Sequence, residues 1–270
     1  MAARSIWKGS ISFGLVNIPI KLYSAAEDKA FSFNQLCQNG HRIQYKRWCS
    51  VEDREVSYEE VQKGYEIAKD NYVLIQKQEL ENIKLKTTKT IDIKEFVEAK
   101  EVDPIFVQKS YYVAPDSKTL DKAYLLLVSI LKNTDKVAIG KVVLREREQL
   151  VVLRAFQRGI IMHVLHYLDE IRPMDEIKEI SASATGKVKL EEQEMALGKI
   201  LVEQLGSERF DISNYSDTYT KELEKLIEAK SQGKLHIAKE EEEQKETTKD
   251  LLEALKASVT KSASAKSKYK

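Results

Sequence analysis

Three β-patterned segments crowd into residues 137–167, and no other stretch restricts the fold as tightly. Residues 137–145, 150–156 and 160–167 read as strands in quick succession, rich in Val, Ile and Leu, and only short turns around Arg147–Glu148 and Arg158–Gly159 separate them. Connections this short join antiparallel neighbours, because a parallel crossover needs a dozen residues or more. A period of two appears near the N-terminus. Ile18, Ile20 and Leu22 alternate with Asn17, Pro19 and Lys21, and Ile11, Phe13 and Leu15 form a similar set around Gly14. TIDIKEFV at 90–97 and IFVQKSYYV at 105–113 add two more strand patterns. Helices are predicted at 77–84 and at 118–133, where Leu120, Tyr124, Leu127 and Leu131 share one face. The first two-thirds of the chain therefore reads as mixed α/β and mainly antiparallel, a sheet or barrel with helical insertions.

The pattern changes at SASATGK, 181–187, which reads as a linker or turn. Beyond it the chain is polar and helical. Residues 189–205 place Leu190, Leu197, Leu201 and Leu205 on one side, and residues 215–230 place Tyr219, Leu223, Leu226 and Ile227 together. An acidic run, KEEEEQKE at 239–246, is expected to be solvated and mobile. It leads to a short amphipathic stretch, DLLEALKASV at 250–259, and a Lys, Ser and Ala end. The expected layout is a β core over 1–180, a helical arm over 181–235 and a flexible charged tail over 236–270.

Several function classes find no support. There is no run of about 18 apolar residues, so no membrane span is expected. The N-terminus lacks the apolar core of a secretory signal, and two cysteines in 270 residues suit a reducing compartment, so the cytoplasm is the expected location. Ten scattered glycines form no phosphate-cradling loop, and no Gly-x-Ser-x-Gly elbow is present. His163 and His166 could lie near Asp169 and Glu170. His163 alternates with Ile161 and Leu165, however, which suits a satisfied sheet histidine better than a catalytic one. Cys37, His41 and Cys49 fall within thirteen residues, but Ser50–Val51–Glu52 follows Cys49, so the close cysteine pair of a structural zinc site is missing. Neither an enzyme nor a metal or cofactor site is predicted.

Charge is nearly balanced, 44 basic residues against 43 acidic, so any polyanion-binding surface must come from segregation within the chain. Between 132 and 158, Lys132, Lys136, Lys141, Arg145, Arg147, Arg154 and Arg158 outnumber Asp135, Glu146 and Glu148. Read as one strand, 137–147 puts Ala138, Gly140, Val142 and Leu144 on one face and Lys141, Arg145 and Arg147 on the other. Alternate strand residues are about 6.7 Å apart, close to two steps of duplex rise, so such a face could follow a phosphate backbone. It could equally be a strand edge protected by charge. Arg42, Lys46 and Arg47 form a second basic cluster. No recognition helix or aromatic stacking platform is evident, and Tyr111 and Tyr112 read as strand residues packing on a core.

The opening IWKGSISFGLVNIPIKLYSA, residues 6–25, resembles the start of the bacterial and archaeal Ku family. The resemblance continues through RIQYKRWC, EEVQKGYE, NYVLIQKQELENI, VDPIFVQKSYYVAPD, KAYLLLVSILKNTDKVAIGKVVLREREQLVVLR, FDISNYSDTYTKELEKLIEAKSQGK and DLLEALKASV, in the family's order and over nearly the whole chain. It implies a β-barrel core with extended dimerisation arms and a helical C-terminal region. Two copies would interlock as a homodimer into a ring that encircles duplex DNA. Such a ring loads at free ends without sequence preference, does no chemistry, and serves non-homologous end joining. It also implies that the chain has only the core, without the N-terminal α/β domain of the eukaryotic relatives.

By the same resemblance HRIQYKRWC falls where the family builds part of the bridge over DNA. Arg42, Lys46 and Arg47, with Lys141, Arg145, Arg147 and Arg154 of the barrel strands, become the expected DNA contacts. The C-terminal segments resemble the region that recruits the pathway's ATP-dependent DNA ligase, with Tyr219, Leu223, Leu251, Leu252 and Leu255 as the expected partner contacts. The Lys-rich end resembles tails that modulate sliding on DNA.

Overall fold

A computed structural model describes residues 3–27, 29–83, 89–116, 122–145, 147–180, 191–233 and 251–266. The linker at 181–187, the acidic run at 239–246, Leu120 and the last four residues lie outside these. The chain divides into two compact units, Met1–Arg172 and Pro173–Lys270.

The first unit is built on a closed seven-stranded barrel. Its strands are β1 (Trp7–Phe13), β2 (Val16–Ser24), β7 (Thr90–Glu98), β8 (Val107–Pro115), β9 (Lys136–Leu144), β10 (Arg147–Phe156) and β11 (Gly159–Leu165), in the order β1-β2-β8-β11-β10-β9-β7. The predicted meander is β9-β10-β11, with Leu144 opposite Arg147 and Phe156 opposite Gly159. Its first turn is tighter and earlier than the sequence suggests. The chain reverses after Leu144, Arg145 takes a left-handed φ of 49°, and β10 begins at Arg147. Two-residue hairpin loops favour such positive φ values because their twist matches that of the strands. The β1–β2 hairpin is the same kind of turn. Gly14 supplies a φ of 58° and Leu15, expected on the apolar face, stands fully exposed at the tip.

The alternation sorts side chains as a barrel requires. Ile11, Ile18, Ile20, Leu22, Ile91, Val113, Val142, Val151, Leu153, Ile160 and Met162 are buried inside. Helix α2 (Lys122–Thr134) closes one end, with Tyr124, Leu127, Val128 and Leu131 buried against the barrel interior. The Tyr124 hydroxyl donates to the Val113 carbonyl at 2.7 Å and accepts from the Ile160 amide at 3.1 Å, and burial pushes its pKa up. A second apolar cluster lies on the outer wall. Val137, Val152 and Leu165 are buried there under Val102 and Phe106, from the 3₁₀ turns Ala99–Glu101 and Pro104–Phe106.

Closure is made by β1 and β7, the one parallel pair among the described strands, over only Ser10–Thr90, Ile11–Ile91 and Ser12–Asp92. Between β2 and β7 the chain makes a long excursion. It holds two separate hairpins, β3–β4 (Trp48–Cys49, Arg54–Glu55) and β5–β6 (Lys63–Ala68, Asn71–Ile75), and the helix α1 (Lys77–Ile83). From 29 to 82 no described side chain is buried.

The second unit holds α3 (Glu192–Leu205), α4 (Thr218–Ser231) and α5 (Leu251–Lys266). Asp217 caps α4 by accepting from the Thr220 amide at 3.1 Å. The tail helix is longer than the short stretch predicted and lies against α3. No helix among the described residues is long and apolar enough to cross a membrane.

Candidate nucleic-acid interface

The predicted basic strand face does not exist as one surface. Lys141 lies on the outer wall of β9, opposite in parity to the buried Val142, whereas Arg147 shares the inward parity of Val151 and Leu153 on β10. Arg145 sits in the turn between them. The reading failed because one unbroken strand was carried through a reversal.

Arg145 and Arg147 do come together, at the barrel mouth opposite α2. With Lys109 of β8, Trp7, Tyr111 and Gln149 they line a cavity of about 220 Å³. Among the described residues none of the three cations forms an ion pair within 4 Å. Glu170 feels the Arg147 charge. Its carboxyl is held below the usual range first by the Tyr167 amide at 2.9 Å, then by His166, with a smaller contribution from Arg147.

Lys141 and Arg154 occupy other places. Lys141 is neutralised by Glu148 at 2.8 Å, a half-exposed pair of little energetic weight that removes a free cation from the wall. Arg154 projects from the outer wall of β10 and donates through Nε to His163 Nε2 at 3.0 Å. His163 is a satisfied sheet histidine, as its alternation suggested. Its Nδ1 meets Ser110 Oγ at 2.7 Å, and burial, then the Arg154 charge, pushes its pKa down. His166 reaches Glu170 at 3.2 Å, as anticipated, and not Asp169.

On the excursion, Lys46 pairs with Glu55 at 2.8 Å, while Arg47 lies over the Tyr58 ring at 4.9 Å and Arg42 meets no carboxylate among the described residues. Trp48, Tyr45, Tyr65 and Tyr72 are exposed on the same arm. Cys37 Sγ lies 3.7 Å from His41 Nδ1, and Cys49 is not part of that pair. No described group of three His, Cys, Asp or Glu side chains could hold a metal ion.

Of the expected partner contacts, Tyr219 is 73% exposed on α4 and Leu223 is half-buried. Leu252 and Leu255 are half-buried on α5, while the Leu251 side chain lies outside the described set.

Sequence reasoning missed Tyr112. Adjacent strand residues point to opposite faces, so Tyr111 and Tyr112 could not both pack inward. Tyr111 turns to the core, and Tyr112 remains 44% exposed on the outer wall.

The model of the Ku70/Ku80 beta-barrel domain family matches residues 12–197. A protein of Heliobacterium modesticaldum described as "Non-homologous end joining protein Ku" is 42% identical over 260 residues, 96% of this chain and 92% of its own. One of the same description from Archaeoglobus fulgidus is 40% identical over 257 residues, covering 95% and 98%. A third, from Koribacter versatilis, is 38% identical over 258 residues, covering 95% and 86%.

Proposed function

The chain belongs to the Ku family, and from that premise we propose that it binds the ends of double-stranded DNA as a ring-shaped homodimer and serves non-homologous end joining without catalysing a reaction itself. The observation that carries this reading is the excursion between β2 and β7. More than fifty consecutive residues leave a well-packed barrel without burying one described side chain, yet display Tyr45, Trp48, Tyr65, Tyr72 and Leu74 to solvent. Two-stranded hairpins are marginal by themselves, and so much exposed aromatic surface favours a partner. Arg42 and Arg47 on the same arm supply the charge that a duplex would meet.

A second copy covering the arm's apolar side and DNA facing its basic side satisfies both features. Contacts from Arg42, Arg47, Arg145 and Arg147 reach phosphates and carry no base information, so binding is independent of sequence. Selectivity for ends comes from topology, since a closed ring admits only a free terminus. At low salt, unlabelled linear duplex is expected to displace a labelled linear duplex, while covalently closed circles of the same sequence compete poorly. Equal competition by closed circles would defeat the reading.

Ligase recruitment is assigned to the second unit, through Tyr219 and Leu223 of α4 and Leu251, Leu252 and Leu255 of α5. The exposure of Tyr219 supports α4 in this role, whereas α5 already lies partly against α3. Deleting 236–270 is expected to spare end binding and to reduce stimulation of an ATP-dependent end-joining ligase in a nick-free ligation assay. Loss of end binding would contradict this division.

A further inference from the structure

The outer wall of the barrel carries an aromatic surface apart from the duplex contacts proposed above. Tyr112 of β8 and Phe156 of β10 lean together across β11, with ring centroids 6.4 Å apart and planes 23° from parallel. The Arg154 guanidinium lies over Phe156 at 5.2 Å. These rings line an open hollow of about 750 Å³ that includes Pro115, Leu125 and Arg158.

Arg154 is held in place. A guanidinium only donates, so its 3.0 Å contact makes His163 Nε2 the acceptor and leaves the ring proton on Nδ1, donated to Ser110 Oγ at 2.7 Å. That anchor uses Nε. Neither Arg154 nor Arg158 pairs with a carboxylate among the described residues, so two cations flank the exposed Tyr112 ring and the half-buried Phe156 ring without a protein counter-charge.

We propose that the Tyr112–Phe156 surface, with Arg154 and Arg158, binds unpaired nucleotides of a single-stranded DNA overhang. A base stacks on an accessible ring whatever its identity, here the exposed Tyr112 backed by Phe156, and arginines meet the adjoining phosphates. Bases within a duplex cannot do this, since their faces are already covered by neighbouring pairs. A protein partner would have to bring carboxylates to both arginines while covering the rings. The site goes beyond the end-binding reading, and it contacts strands that the ring does not grip.

The test compares the full chain with Tyr112→Leu/Phe156→Leu, which keeps apolar bulk and removes the aromatic faces. Fluorescence anisotropy is read on a short oligothymidylate, on a duplex with a thymidine overhang and on the blunt duplex. The variant is expected to lose ~10-fold or more in affinity for the oligothymidylate and for the overhang increment, consistent with base–aromatic stacking, with blunt-duplex affinity unchanged. Tyr112→Phe should behave as the parent. Arg158→Glu, at an exposed turn away from the packed core, should weaken the same two ligands by ~3-fold or more, and it keeps the test decisive if the leucine variant unfolds. Unchanged oligothymidylate binding overturns the proposal. So does an equal loss on the blunt duplex, or a shift in oligomeric state on size exclusion, which would mark the face as a contact between copies. Equal competition by closed circles would bear on ring loading alone and leave the overhang-against-blunt contrast intact.

Discussion

Raising salt from about 50 to about 200 mM is expected to weaken binding to a blunt linear duplex by ~10⁴-fold. The size follows from which cations are free. Lys46 and Lys141 are already neutralised by Glu55 and Glu148, so they release few counterions on binding. Arg154 keeps its charge but projects from the outer wall, where the overhang site is proposed, and is not counted among the duplex contacts. Arg42, Arg47, Arg145 and Arg147 remain, and in the proposed homodimer they would make about eight phosphate contacts, for a logarithmic salt slope of about −7. Anisotropy titrations at several salt concentrations measure that slope directly. Arg145→Glu/Arg147→Glu should flatten it by about three to four and weaken every duplex sequence alike. A nearly flat salt response would remove phosphate neutralisation as the source of affinity. An unchanged slope in the double variant would move the contacts away from the barrel mouth.

Gly9→Ala is expected to destabilise the barrel by roughly 2–4 kcal/mol, and to lower the melting temperature by about 6–12 °C for a unit of this size. Gly9 lies in β1 where the ring of Trp7 folds over it, and a Cβ there would land on that ring and on the Lys89 carbonyl oxygen. The Trp7 ring can shift, but the carbonyl belongs to backbone. It accepts the Ser10 amide at 3.0 Å and opens the short parallel seam between β1 and β7. Relief of the clash therefore pulls on the contact that closes the barrel. Thermal unfolding followed by circular dichroism reads the effect, and a melting temperature unchanged by the substitution would mean that the seam yields without cost.

The strands were legible because their alternation is strong. Ile18, Ile20 and Leu22 are all fully buried, and Tyr124, Leu127 and Leu131 face the core as their helical spacing indicated. Closure was not legible. It depends on pairing Ser10 with Thr90, and nothing local in either segment announces a parallel partner eighty residues away. The β5–β6 hairpin escaped notice for another reason: its residues are exposed on both faces, so no polar–apolar alternation marks them. For the candidate interface, residue types showed which segments carry basic side chains but not how those side chains are placed. Whether an arginine faces a groove, a carboxylate or a histidine is decided by where the chain turns. A turn displaced by two residues moved Arg145 off the strand and turned Arg147 from outer wall to mouth.

The brevity of the seam has an evolutionary corollary. Entropic cost of joining chain ends grows only with the logarithm of the intervening length, so doubling the excursion would cost the barrel about 0.6 kcal/mol. The arm can thus lengthen or shorten among descendants, altering the span it bridges, at little cost to the stability of the seven-stranded core.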